Sequence, residues 1–394
     1  MIRNDKFILL AVFTLTLWLA APSLLLDIAG LGQLKPLIGK GLLILCIVVL
    51  IVFNNAKLSR SALLLSSIVF IYGLALALTY TLAGLHSSVA PIFGATIKVV
   101  LFIIIVAVSG RHGEAISKAV SASIFPLLVL ALVSILVHNI VNIPELFRIV
   151  VNDRQISVLV GSFSTSRIFI GDVPLYRLSS IFYEPGNYGL ILYCLFLFFV
   201  TGREFSSQTK LILALNLINT FSLGAFLSII VSAISYIKPR VIWLNMRRVR
   251  LLKVMVFLIS FGTVLYFITP GIRFIISRLS LGTNGRLFAG DNRFFDDKLP
   301  QNYILGDGSM GGGFDSIISI FQQYGILGCL ILFAPIIIVA GLLILRHQLA
   351  LGVALLMFLA HKPNILTPII LILLAVVASR LWQKQLGTLR PGSL

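Results

Sequence analysis

Apolar positions in this chain do not alternate with polar ones; they come in blocks. Runs of about twenty mostly apolar residues follow one another along the sequence, the length a helix needs to cross a hydrocarbon core. The pattern predicts twelve spans, at 7–26, 37–53, 62–84, 91–109, 119–138, 189–202, 209–221, 223–237, 251–269, 323–345, 349–361 and 363–381. Several are short, which leaves ten or eleven as alternatives. The expected fold class is an all-α polytopic membrane protein with about 12 transmembrane helices, residues 1–394 forming one transmembrane domain. Two long polar segments, 139–188 and 270–322, interrupt the blocks.

Composition agrees with the pattern. The chain is 59% hydrophobic and 11% charged, with a mean hydropathy of +1.07. So few charges cannot build a water-facing surface, which excludes a soluble domain. The segment "FILLAVFTLTLWLAAPSLLL" imitates a signal peptide, but it has span length and more spans follow, so it reads as an uncleaved first span.

The net charge of +18 would point to nucleic acid in a soluble domain. Here its placement explains it. With the N-terminus inside, Arg3, Lys6, Lys57, Arg60, Arg111, Lys118, Arg203 and Lys210 fall on the inner side, and so does the run "KPRVIWLNMRRVRLLK". Every short inner loop then carries Lys or Arg, as the positive-inside rule requires. The expected partners are therefore membrane lipid and no nucleic acid, with both termini cytoplasmic. Lys40 and Lys98 lie within spans, and Lys98 needs a polar partner or a water path.

The two long segments face the other side and hold nine of the 13 acidic residues. They keep aromatic and β-branched residues, so they are not disorder-like, and long loops in a compact protein are commonly functional. Cys46, Cys194 and Cys329 sit in apolar runs as small hydrophobic residues. No Cys or His pair has metal-ligand spacing, and neither a metal nor any other cofactor is expected. "GDGSMG" matches a dinucleotide fingerprint by letter, but it follows no strand of a βαβ unit. Its glycines read as a tight turn that delivers Asp315 to the next helix. His138, at the end of the fifth span, reads as an interfacial histidine.

Candidate chemistry collects in the same two segments. The first contains "RLSSIFYEPGNYG", with Arg177, Tyr183 and Glu184 ahead of Pro185 and Gly186 and with Asn187 placed to cap the following helix. Arginines beside a helix N-terminus suit an anion. The second contains Arg273, Arg278, Arg286 and Asp315.

Together these motifs resemble the O-antigen polymerase and O-antigen ligase superfamily over about residues 170–345. "RLSSIFYEPGNYG" resembles the first motif of that family, "NGRLFAGDNRFFDDKLPQNYILGDG" the second and "FDSIISIFQQYGILG" the third, while "LINTFSLGAFLSIIV" resembles its Ser-x-Gly span. The resemblance implies a GT-C-like glycosyltransferase of the bacterial inner membrane, both long loops facing the periplasm. Its donor would be an oligosaccharide on undecaprenyl diphosphate, and no metal would be used. In a polymerase the acceptor is another lipid-linked repeat unit; in a ligase it is lipid A-core. A chain-length-regulating co-polymerase is a further candidate partner.

By motif position, Arg177 and Arg286 would clamp the diphosphate, because a guanidinium fork suits phosphate. Arg278 and Arg273 stand in reserve and, with Asn187 and Tyr183, complete the expected substrate-binding set. The proton of the acceptor hydroxyl goes to Asp315 or Glu184. The ligases start the third motif with a histidine; this chain has Asp315 near that place, which favours the polymerase. The competing readings are an O-antigen ligase and a polysaccharide transporter (flippase). A flippase would place ionisable residues along a path through its spans, whereas here charge collects in the outer loops.

Overall fold

In a computed structural model of the chain, the described residues are 2–19, 24–52, 58–109, 113–151, 154–165, 167–170, 173–182, 185–201, 207–220, 302–308, 317–345, 348, 351–356 and 366–388. Helices dominate. They are α1 (Ile2–Leu19), α2 (Lys35–Val52), α3 (Arg60–Leu82), α4 (His86–Ser109), α5 (Gly113–Ser134), α6 (Pro185–Thr201), α7 (Ser207–Asn219), α8 (Ile317–Leu345) and α9 (Pro368–Thr388), with one short helical stretch at 351–356. Five segments are long and apolar enough to cross a membrane: Gly32–Val52, Arg60–Leu82, His86–Ser109, Lys118–Ile140 and Ile320–Leu345. Leu10–Leu19, Pro185–Thr201 and Pro368–Trp382 are shorter apolar helices. The chain is a multi-pass membrane protein. The expected spans at 223–237 and 251–269 lie outside the described residues.

Burial sorts the helices. In α6 nearly every residue from Pro185 to Thr201 is buried, and α9 is buried from Ile369 to Ala378. Helices that are apolar all round belong at the centre of a bundle. α9 packs against α2, α4, α6 and α8. α3 lies at the rim, with Leu64, Ile71, Leu78 and Leu82 exposed, as expected of a lipid-facing surface.

Contacts between helix ends fix their relative directions. Arg380 donates to the Phe198 carbonyl at 2.6 Å, and its guanidinium lies 4.4 Å from the Phe198 ring, so α6 and α9 run parallel. A Cβ at Gly39 would meet Pro368, which aligns the starts of α2 and α9. Ser87, at the start of α4, donates to the Gly308 carbonyl, and the Gly308 N–H donates to Gln323 in the first turns of α8. α2, α4, α6, α8 and α9 therefore all start at one end of the bundle. The described residues of 139–182, and 302–308, lie at that end.

The first long segment corrects the all-α expectation. β1 (Phe147–Val151), β2 (Arg154–Leu159) and β3 (Ser162–Ser164) form an antiparallel sheet in that order, and β4 (Arg167–Ile170) pairs with β5 (Val173–Tyr176). The β2–β3 turn is closed by Val160 and Gly161. Gly161 has φ +77, and a Cβ there would stand 2.8 Å from the Leu130 carbonyl oxygen, so only glycine lets the hairpin tip meet α5. His138 locks this junction. Its Nε2 accepts from the Val160 N–H and its Nδ1 lies against the Ile143 carbonyl oxygen, both at 2.9 Å. An Nε2 that accepts leaves the ring proton on Nδ1, which donates to Ile143. The ring is fully buried, and its edge meets Tyr176 with centroids 5.7 Å apart. His138 is thus a structural latch within the fold.

Candidate functional site

The first motif begins on the C-terminus of α7. The Arg177 Nε donates to the Thr220 carbonyl at 3.4 Å, and the Leu178 N–H donates to the Asn219 carbonyl at 3.2 Å. The last carbonyls of a helix lack partners within it and carry its negative end, so a guanidinium there is doubly favoured. Arg177 is half-buried. It therefore ties the first motif to the segment that opens "TFSLGAF", a link between two motifs far apart in sequence.

Beyond Arg177 the chain turns inward. The Ser179 N–H and hydroxyl both donate to the Phe163 carbonyl, at 3.0 and 2.8 Å, and the Phe163 N–H donates back to Ser180 at 2.8 Å. Ser180 adopts φ 51, uncommon outside glycine. Its side chain is fully buried, with no hydrogen-bond partner for the hydroxyl among the described residues. Strain and an unsatisfied hydroxyl at one position mark functional sites. Nothing in the sequence pattern singles out Ser180.

α6 then opens at Pro185, not at Asn187. Proline suits the first helical position because its missing N–H would have no partner there. Asn187 lies in the first turn and is buried, so the expected capping role is corrected. Phe182 stacks on Tyr188 with centroids 5.6 Å apart. The Tyr188 hydroxyl donates to the Asn216 Oδ1 at 2.9 Å, and the Asn216 amide donates to Ile212 at 2.9 Å and Leu128 at 3.3 Å. This buried chain of hydrogen bonds fixes α6, α5 and α7 behind the motif.

The second and third motifs meet at a break in a helix. α8 is interrupted at Gly325, which has φ 59 and ψ −168. A break leaves carbonyls before it and N–H groups after it without helical partners, and in a membrane each must find another. "NYILGDG" supplies them. The Asp307 N–H donates to Gln322 at 2.8 Å and the Gly308 N–H to Gln323 at 3.3 Å. The Ile326 N–H donates to Tyr303 at 3.0 Å and the Leu327 N–H to Ile304 at 3.2 Å. The Tyr80 hydroxyl donates to the Tyr324 carbonyl.

Glycine is required on both sides of this joint. A Cβ at Gly306 would lie 2.6 Å from Gln322 and Gln323 backbone atoms, and one at Gly325 would lie 2.4 Å from the Ile304 carbonyl oxygen. A Cβ at Gly308 would lie 2.7 Å from a Leu85 methyl. Gly306 and Gly308 therefore dock the second motif on the third; the rest of "GDGSMG", and Asp315, which these glycines are expected to deliver, lie outside the described residues. Asp307 is held between them, half-buried.

Of the expected site residues, the structure places Arg177 and Asn187 at one end of the bundle, the end that also carries the Gly325 joint. Tyr183, Glu184, Arg273, Arg278, Arg286 and Asp315 lie outside the described residues. No family model, curated protein or solved structure matches this chain. The fold and the site together define a multi-pass membrane protein with a polar, motif-bearing end.

Proposed function

We propose that the chain is a polysaccharide polymerase of the bacterial inner membrane, a GT-C-like enzyme of about twelve spans working at the periplasmic face. An acceptor hydroxyl on a lipid-linked repeat unit attacks the anomeric carbon of a glycan carried on undecaprenyl diphosphate. The C–O bond to the diphosphate breaks, and the lipid diphosphate leaves with the bonding pair. Arg177 and Arg286 hold that leaving group, and Asp315 takes the hydroxyl proton while Glu184 organises Arg177. No nucleotide sugar or metal takes part.

The observation that carries this reading is the junction at one end of the bundle. "NYILGDG" is bonded into the broken helix of "QQYGILG", and Arg177 of "RLSSIFYEPGNYG" is bonded to the segment that opens "TFSLGAF". Each bond joins one motif to another at the same end of the bundle, which supports reading them as parts of one site. Broken helices at membrane depth belong where backbone lines a site. Deletion of the gene tests the reading. The lipid-linked repeat unit should accumulate and the surface glycan should stop at one unit; full-length polymer after deletion contradicts it.

A further inference from the structure

Two lysines, Lys40 and Lys98, lie inside the apolar bundle. The Lys40 Nζ of α2 stands 3.9 Å from the position a Cβ would take at Gly94 of α4. Lys98 is four residues beyond Gly94 on the same helix, and residues at this spacing share a face. The two lysines therefore line one seam between α2 and α4.

Among the described residues no acidic side chain is paired with either of them. α2, α4 and every labelled helix packed on α4 (α2, α3, α8 and α9) contain no Asp or Glu. Asp27, the nearest described acid in sequence, is bonded to Lys35. Neither lysine takes part in an ion pair or hydrogen bond among the described residues. Snorkelling does not account for Lys98. It lies twelve residues into α4, about 18 Å along the axis, beyond the reach of a lysine side chain to the near interface. Two like charges in a low-dielectric seam are costly unless an anion joins them.

The seam is open to lipid on one side. Leu37 and Ile44, which flank Lys40 on its own face, are 70% and 50% exposed, and a Cβ at Gly41 would meet nothing within 4 Å. An anion arriving here comes laterally, attached to an apolar chain. We propose that Lys40 and Lys98 form an intramembrane binding site for a lipid-borne phosphate group, separate from the arginine clamp. Either a prenyl diphosphate or an anionic phospholipid carries that chemistry. The inference does not rest on the polymerase reading, because its test is a binding measurement.

The test is ligand-induced thermal stabilisation of the purified full chain in a neutral detergent. The probes are geranylgeranyl diphosphate, phosphatidylglycerol and inorganic diphosphate. Wild type should be stabilised by at least one of the two lipids. Lys40→Gln with Lys98→Gln should weaken that lipid's apparent affinity about tenfold or more, the scale of a lost charge-assisted contact. Lys→Arg at both positions should retain it. Arg177→Ala should leave the lysine-dependent part intact. Stabilisation by geranylgeranyl diphosphate alone identifies a prenyl diphosphate as the occupant, and stabilisation by phosphatidylglycerol alone identifies a phospholipid. If Lys98→Gln fails to fold, the single variant Lys40→Gln carries the test. Equal lipid stabilisation of wild type and the folded Gln variant overturns the proposal, and so does an equal response to inorganic diphosphate.

Discussion

The Tyr80 hydroxyl, at the end of α3, donates its hydrogen bond to the Tyr324 carbonyl one residue before the Gly325 break in α8. The contact spans more than half the sequence and lies in a fully buried region. The regular ladder of α8 is interrupted at Gly325, and Tyr80 brings a donor to this point from another helix. Tyr80→Phe keeps the ring and removes only the donor. It should cost about 1–3 kcal/mol, the desolvation penalty of an unsatisfied buried carbonyl. A lowered midpoint of thermal unfolding in detergent checks this; an unchanged midpoint would show that the carbonyl finds another donor.

Two glycines at positive φ carry unequal constraints, since the ψ of −168 at Gly325 is itself nearly exclusive to glycine. Gly84 has φ +75 and open space around its Cβ position, whereas Gly325 has φ +59 and a carbonyl oxygen 2.4 Å away. Gly84→Ala should cost about 1 kcal/mol, the penalty of a left-handed conformation alone. Gly325→Ala should cost several times more, on the scale of about 3 kcal/mol or above, because Ile304 must also be displaced. Comparison of the folded yield and unfolding midpoint of the two variants decides it. Equal effects would mean that the joint with "NYILGDG" is soft.

Sidedness follows from the charge pattern and from the helix directions. In a variant lacking Cys46, Cys194 and Cys329, a cysteine at Val150 or at Tyr303, both exposed, should react in intact cells with an impermeant maleimide. One at Trp382, exposed at the other end, should react only after the membrane is opened. Protection of Val150→Cys in intact cells would place the first long segment in the cytoplasm.

The clamp predicts a difference between charge and shape. Arg177→Ala should lower polymer formation about a hundredfold, or roughly 3 kcal/mol, with protein level maintained. Arg177→Lys should recover little, since a point charge does not replace a planar fork. The same pair of changes at Arg286 should behave alike. Polymer of normal length from Arg177→Ala would remove that residue from the site and leave it a role in holding α7.

Legibility in the sequence followed the physics of each element. Apolar blocks set α2, α3 and α4 within a few residues, because a membrane span needs little beyond length and hydropathy. The break in α8 was hidden: "QQYGILG" reads as continuous helix, and one glycine costs a helix only about 1 kcal/mol. What opens the helix is a segment arriving from Tyr303 to Gly308, a tertiary contact that no local window contains. The strands were half visible. "RQISVL" carries β-branched residues, but its Ile156 packs with Val151 and Phe163 of the neighbouring strands and with Leu24, far away in sequence. At the site, a proline reads either as a break or as a first helical residue, and Pro185 is the second. Asn187 misled because asparagine favours both a cap and a buried first turn beside proline.

Glycan transfer by the purified protein, reconstituted in liposomes, tests the central claim most directly. The reaction contains the undecaprenyl-diphosphate-linked repeat unit and no nucleotide sugar. The account predicts ladders of polymer with one undecaprenyl diphosphate released per bond formed, abolished by Asp315→Asn or, if the two carboxylates exchange roles, by Glu184→Gln. Folded protein that binds the repeat unit but releases no undecaprenyl diphosphate and makes no dimer of it would contradict the account.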